Sequence, residues 1–207
     1  VIPNGVDTEK FQPTDVAQSN DILYFGTLIR KKGLLELPHI FNDVHKLNPS
    51  AKLLLVGRDA PDIISGNPST WEMMKPLFSA DSFKNVSYLG GVPYDEIRKY
   101  IESAAVCVFP TFAEALPVSW IEAMAMRKPL VASNIGWASE VIEDGKSGFL
   151  EHPKNHSEFA AKISNLISDA DLRQAIGKEA RNRVLARFDN NVVAKQNISF
   201  YNDLQKR

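Results

Sequence analysis

The chain has 207 residues, 44% of them hydrophobic and 24% charged, with a formal net charge of −1. That composition suits one full-sized globular core, and the balanced charge excludes a general nucleic-acid binder or a polybasic membrane anchor. A single cysteine excludes an internal disulfide framework, and no apolar run approaches the ~20 residues that span a bilayer.

The chain opens Val1-Ile2-Pro3-Asn4-Gly5 without an initiator Met, so it is expected to be a piece of a longer protein. Short apolar runs then alternate with helical patterns. Ile22 to Gly26 predicts a first strand, followed by a helix over about Leu34 to Leu47. Lys52 to Gly57 predicts a second strand, with a short helix near Trp71 to Phe78. Val86 to Gly90 is a third, leading into a helix from Tyr94 to Ser103. Ala105 to Phe109 is a fourth, and Cys107 inside it reads as a buried core thiol. A helix over Val118 to Met126 follows, then a strand over Pro129 to Ser133 and a short helix near Ala138 to Ile142. Phe149-Leu150 is a last short strand. Asn155 to Lys206 reads as helices, with Leu172, Ile176, Ala180, Val184 and Phe188 at i, i+4 spacing.

The strands are near-continuous apolar runs, as expected where both faces are buried. Their alternation with helices predicts an α/β fold with a doubly wound parallel sheet, Rossmann-like, in a single domain over residues 1–207. Such sheets bind ligands beyond the carboxyl ends of their strands. Those ends here are Gly26-Thr27, Gly57-Arg58, Gly90-Gly91, Pro110-Thr111 and Ser133-Asn134, residues that equally serve as ordinary turns. Neither a Walker A sequence nor a G-x-G-x-x-G after the first strand occurs, which argues against a P-loop NTPase or an ordinary NAD domain. The four scattered histidines and lone cysteine predict no zinc site.

The most informative segment is Glu114-Ala115-Leu116-Pro117-Val118-Ser119-Trp120-Ile121-Glu122. One carboxylate precedes a helix and one lies on its first turns. The helix start offers free N–H groups and the positive end of its dipole to a diphosphate. The carboxylates can accept hydrogen bonds from hydroxyls on either side.

Glu114-x7-Glu122 with Ala123-Met124-Ala125 resembles the signature of retaining glycosyltransferases of the GT-B fold. Val1 to Asp7 with Phe11 resembles the opening of their second domain. Tyr24 to Leu28 with Lys32-Gly33 resembles their first strand and phosphate loop. Pro129 to Ser133, Gly136 to Val141 and Asp144 to Leu150 resemble the later strand, turn and hairpin-like element. A lone Glu-x7-Glu is common; this ordered set is specific.

The resemblance implies the C-terminal half of a two-domain enzyme that moves a sugar from a nucleoside diphosphate to an acceptor with retention. A sugar-nucleotide epimerase of the same fold and a non-catalytic nucleotide-binding module are the alternatives. An acceptor-binding N-terminal domain would complete the enzyme and carry any membrane contact, in a cytoplasmic setting. No metal or other cofactor is implied. Carried over, Lys32 meets the donor diphosphate, Glu114 the donor sugar and Glu122 the ribose. Gly26, Thr27, Arg30, Leu116, Pro117 and Val118 complete the donor site, with no nucleic acid as partner. Two departures stand out. Thr27 occupies the position of a usual Arg, which Arg30 or Lys31 could replace. Ala115-Leu116-Pro117 stands where Gly-Phe-Gly is usual, and Pro117 lacks an N–H. The last helix would lean toward the other domain, leaving Phe200 and Tyr201 partly uncovered.

Overall fold

The computed structural model describes residues 2–14 and 19–205; Val1 and Lys206, which bound the opening segment and the final helical stretch, lie outside them. The described elements are β1 (Asp21–Phe25), α1 (Leu37–Leu47), β2 (Lys52–Val56), α2 (Thr70–Met74), α3 (Ala80–Phe83), β3 (Val86–Tyr88), α4 (Ile97–Ser103) and β4 (Val106–Phe109). They continue with α5 (Val118–Ala125), β5 (Leu130–Ser133), α6 (Ala138–Val141), β6 (Phe149–Glu151), α7 (His156–Ser168), α8 (Ala170–Arg187) and α9 (Asn190–Gln205).

The strands form one parallel sheet in the order β3-β2-β1-β4-β5-β6. Strand order reverses between β1 and β4, where Leu23 pairs with Cys107. This is the switch point at which such a sheet opens a crevice. Every residue of β4 and of β5 is buried, which is why those strands read as unbroken apolar runs. Burial pushes the Cys107 thiol up to about 12.

Local chemistry trims several expected helices. α1 starts at Leu37, not Leu34, because Gly33 takes φ +72 and Pro38, without an N–H, falls in the first turn. The Ser69 hydroxyl caps α2 by accepting from the Glu72 N–H at 2.9 Å, and Pro76 tightens the next turn into a 3-10 helix, Lys75–Leu77. In the Asp144–Leu150 element a tight turn is closed by a bridge between Asp144 and Gly148, with the Gly145 N–H donating to the Gly148 carbonyl at 2.9 Å. The Asp144 carboxylate accepts the Leu150 N–H at 2.8 Å, and β6 then runs parallel to β5.

The opening segment is bound to the far end of the chain. Val6 N–H donates to the Phe188 carbonyl at 2.8 Å, and Asn190 N–H to the Val6 carbonyl at 3.0 Å. In α9 only Val193 is buried, while Phe200 and Tyr201 are 52% and 62% exposed. Among the described residues no helix is long and apolar enough to cross a membrane.

Candidate functional site

The crevice is built first from backbone. Beyond β1, Gly26 N–H donates to the Val56 carbonyl and Leu28 N–H to the Arg58 carbonyl, both at 2.9 Å. A Cβ on Gly57 would stand 1.9 Å from the Gly26 carbonyl oxygen, so only glycine lets these two strand ends approach this closely. The fully buried Tyr24 donates its hydroxyl to the Thr27 carbonyl at 3.1 Å, fixing the loop. Burial and the nearby Glu114 charge raise the Tyr24 pKa, so its phenol stays a donor.

The loop then makes a 3-10 turn, Arg30–Lys32, closed by Gly33 in the left-handed region. The Lys31 carbonyl accepts the Phe112 N–H at 2.9 Å and the Thr111 hydroxyl at 3.3 Å. This ties the exit of β1 to the exit of β4. The Lys32 ammonium, next in the turn, thereby comes within 3.5 Å of the Glu114 carboxylate. Lys32 and Glu114 line a small cavity with Tyr24, Thr111, Ser119 and Trp120. The Lys32 ammonium also faces Gly26, where an added Cβ would be 3.4 Å from it.

Arg30 points elsewhere. Its Nε and Nη2 donate to the Asp62 carboxylate at 2.8 and 2.7 Å, a bidentate pair with the loop after β2. Asp62 is 3% exposed and also accepts the Ser65 N–H and hydroxyl. Arg30 and Ser65 hold its carboxyl well below the usual carboxylate range. The three basic residues of the turn thus part ways: Lys32 faces Glu114, Arg30 faces Asp62, and Lys31 is exposed.

On the other wall, β4 runs out into the glutamate loop and α5. Pro117 is the N-cap of α5, and no side chain caps it. The Trp120 N–H turns back onto the Pro117 carbonyl at 3.2 Å, so the Val118 and Ser119 N–H groups are the ones this helix start can offer to an anion. Val118 is 41% exposed. The Leu116 carbonyl accepts from the Asn4 side chain at 3.2 Å, which joins the opening segment to this loop. Trp120 is buried against Phe109, with ring centroids 6.0 Å apart, and belongs to the core.

Glu122, one turn into α5, is 4% exposed. Its Oε1 accepts the hydroxyl of Tyr94, a residue legible in the sequence only as the start of a helix. The Tyr94 ring lies edge-on to Phe11 at 6.1 Å and beneath the Lys10 ammonium at 4.6 Å; Lys10 in turn pairs with Asp95 at 2.6 Å. Burial pushes the Glu122 carboxyl above its ordinary range, while the Tyr94 hydroxyl and the Lys10 charge hold it down. A larger cavity, about 930 Å³, opens near Glu102, Arg127 and Arg173, before the amino ends of β4 and β5, and contains none of these site residues.

Residues 6–183 match the model of the family described as glycosyl transferases group 1. The capsular polysaccharide biosynthesis glycosyltransferase CapM of Staphylococcus aureus is 28% identical, over 98% of this chain and 54% of its own length. The chain spans about half the length of the curated relatives it matches. The crystal structure of a glycosyltransferase from Rickettsia africae superposes with a TM-score of 0.84 at 26% identity, covering 100% of this chain and 57% of that one. Anabaena HepE, solved with UDP and glucose, superposes with a TM-score of 0.81 at 25% identity, covering 98% and 56%.

Proposed function

The chain belongs to the glycosyl transferases group 1 family, and from that premise we propose that it is the donor-binding, C-terminal half of a glycosyltransferase. The enzyme would move a sugar from a nucleoside diphosphate to an acceptor with retention of configuration. The observation that carries this reading is the meeting of Lys32 and Glu114, 3.5 Å apart, at the switch point between β1 and β4. A cation for the diphosphate and a carboxylate for the sugar thus share one crevice with an uncapped helix start.

As the glycosidic bond breaks, negative charge gathers on the departing diphosphate. Lys32 and the first N–H groups of α5 stabilise it there, a preorganised electrostatic contribution that needs no metal. Glu114 orients the sugar through its hydroxyls, and Glu122 receives the ribose. An acceptor-binding domain of the same protein closes the crevice, in the cytoplasm, with any membrane contact made through that domain. The likeness to CapM supports a role in polysaccharide biosynthesis, and the HepE complex with UDP and glucose supports this donor class. By itself the chain is expected to bind donor without transferring sugar, since both domains must position the reactants.

Thermal-shift titration against UDP, GDP, ADP and their sugar conjugates tests the reading. A true ligand at about 100 times its Kd stabilises by about 2.7 kcal/mol. If none of these nucleotides raises the melting midpoint, the donor-binding assignment is wrong.

A further inference from the structure

Glu122 cannot offer both of its oxygens to a ligand in the free protein. Its carboxylate is 4% exposed and its Oε1 is already occupied by the Tyr94 hydroxyl. The partner, by contrast, can leave. Tyr94 is 57% exposed and opens the short 3-10 turn, Tyr94–Glu96, that leads into α4. Its ring touches Phe11 only edge-on, and the Lys10 ammonium above it is a surface group. Rotating the side chain outward gives up only that edge contact with Phe11 and the Lys10 ammonium. The contact also bridges two elements that sequence separates by 28 residues, the exit of β3 and the body of α5.

We propose that Tyr94 is a displaceable cap on Glu122: its hydroxyl satisfies the buried carboxylate while the site is empty, and a ribose hydroxyl takes that place when nucleotide binds. The proposal rests on the reading of Glu122 as the ribose acceptor. A buried carboxylate left without a donor is costly. Tyr94 therefore stabilises the empty site and opposes binding by the same amount, because the ligand must first release it. It acts through Glu122 and is a positioning residue.

Tyr94→Phe keeps the ring against Phe11 and removes only the hydroxyl. Calorimetric titration of the chain with UDP, GDP and ADP should give about tenfold tighter binding of whichever nucleotide the unmodified chain prefers. The ligand-free melting midpoint should fall in parallel. A merely structural tyrosine would lower the midpoint without tightening binding. Unchanged or weaker binding by Tyr94→Phe overturns the cap. Glu122→Ala separates this from the underlying reading: if it binds nucleotide as well as the unmodified chain, Glu122 is not the ribose acceptor and both fail. If Glu122→Ala weakens binding and Tyr94→Phe does not tighten it, only the cap fails. A gain from Tyr94→Phe that persists in the Glu122→Ala background also overturns it, since the hydroxyl would then act on something else.

Discussion

Gly33 lies so close to Pro110 that a single added Cβ would stand 1.7 Å from the Pro110 carbonyl oxygen. Gly33 also holds φ +72. This contact presses the loop after β1 onto the exit of β4, where the Lys31 carbonyl receives the Phe112 N–H. The two segments that carry Lys32 and Glu114 are thus held together by backbone against backbone.

Gly33→Ala should therefore damage both fold and site. The left-handed conformation alone costs a non-glycine residue about 1–3 kcal/mol, or about 2–12 °C in melting midpoint for a chain of this size. The Pro110 clash adds to it. Nucleotide affinity should fall as Lys32 is displaced. Calorimetric melting with and without nucleoside diphosphate checks both, and an unchanged midpoint would show that the loop yields freely.

Lys32→Ala and Arg30→Ala should separate binding from stability. Loss of a charge-assisted contact to the diphosphate is worth about 1.5–3 kcal/mol, or roughly 10- to 150-fold in Kd. Lys32→Ala should show that loss with a small change in melting. Arg30→Ala should bind nearly normally but melt earlier, because it strips the bidentate partner from buried Asp62. Should Arg30→Ala be the costlier for nucleotide, Arg30 has left Asp62 to take the place of the arginine that Thr27 lacks.

The two glutamates should divide by ligand. Glu122→Ala should weaken free nucleoside diphosphate, while Glu114→Ala should spare it and weaken only the sugar conjugate. Parallel titrations with UDP and UDP-sugar, or the guanosine or adenosine pair, decide the matter. Equal losses of the free diphosphate in both variants would contradict the division.

Asp62 should make stability depend on acid. Arg30 and Ser65 depress its folded pKa, so its contribution is fully present above the unfolded value of about 3.9. It is lost as pH falls through the lower folded value. Asp62→Asn should accordingly lower the melting midpoint at neutral pH, with the gap to the unmodified chain narrowing below about pH 4. A gap that stays constant into acid would mean that the charge on Asp62 contributes nothing.

The parallel sheet is readable from the sequence alone. β4 and β5 are buried throughout, and their residues are apolar up to Ser133, which donates its hydroxyl to the Phe109 carbonyl; such runs are legible one segment at a time. Lys32, Glu114 and Glu122 stand out in the sequence because they sit within ordered motifs beside strand ends, and the fold brings Lys32 to within 3.5 Å of Glu114. The contact that closes the Asp144–Leu150 turn is not legible there, since the Asp144 carboxylate accepts a backbone N–H six residues further on. Only the tertiary structure decides which partner each polar group takes. Arg30 pairs with Asp62 across 32 residues, Tyr94 with Glu122 across 28, and the Lys31 carbonyl with the Thr111 hydroxyl across 80. Apolar periodicity reports which face of an element is buried, and that is a local property. A hydrogen-bond partner is chosen by which loops the folded sheet brings to the same edge, and no local pattern encodes it.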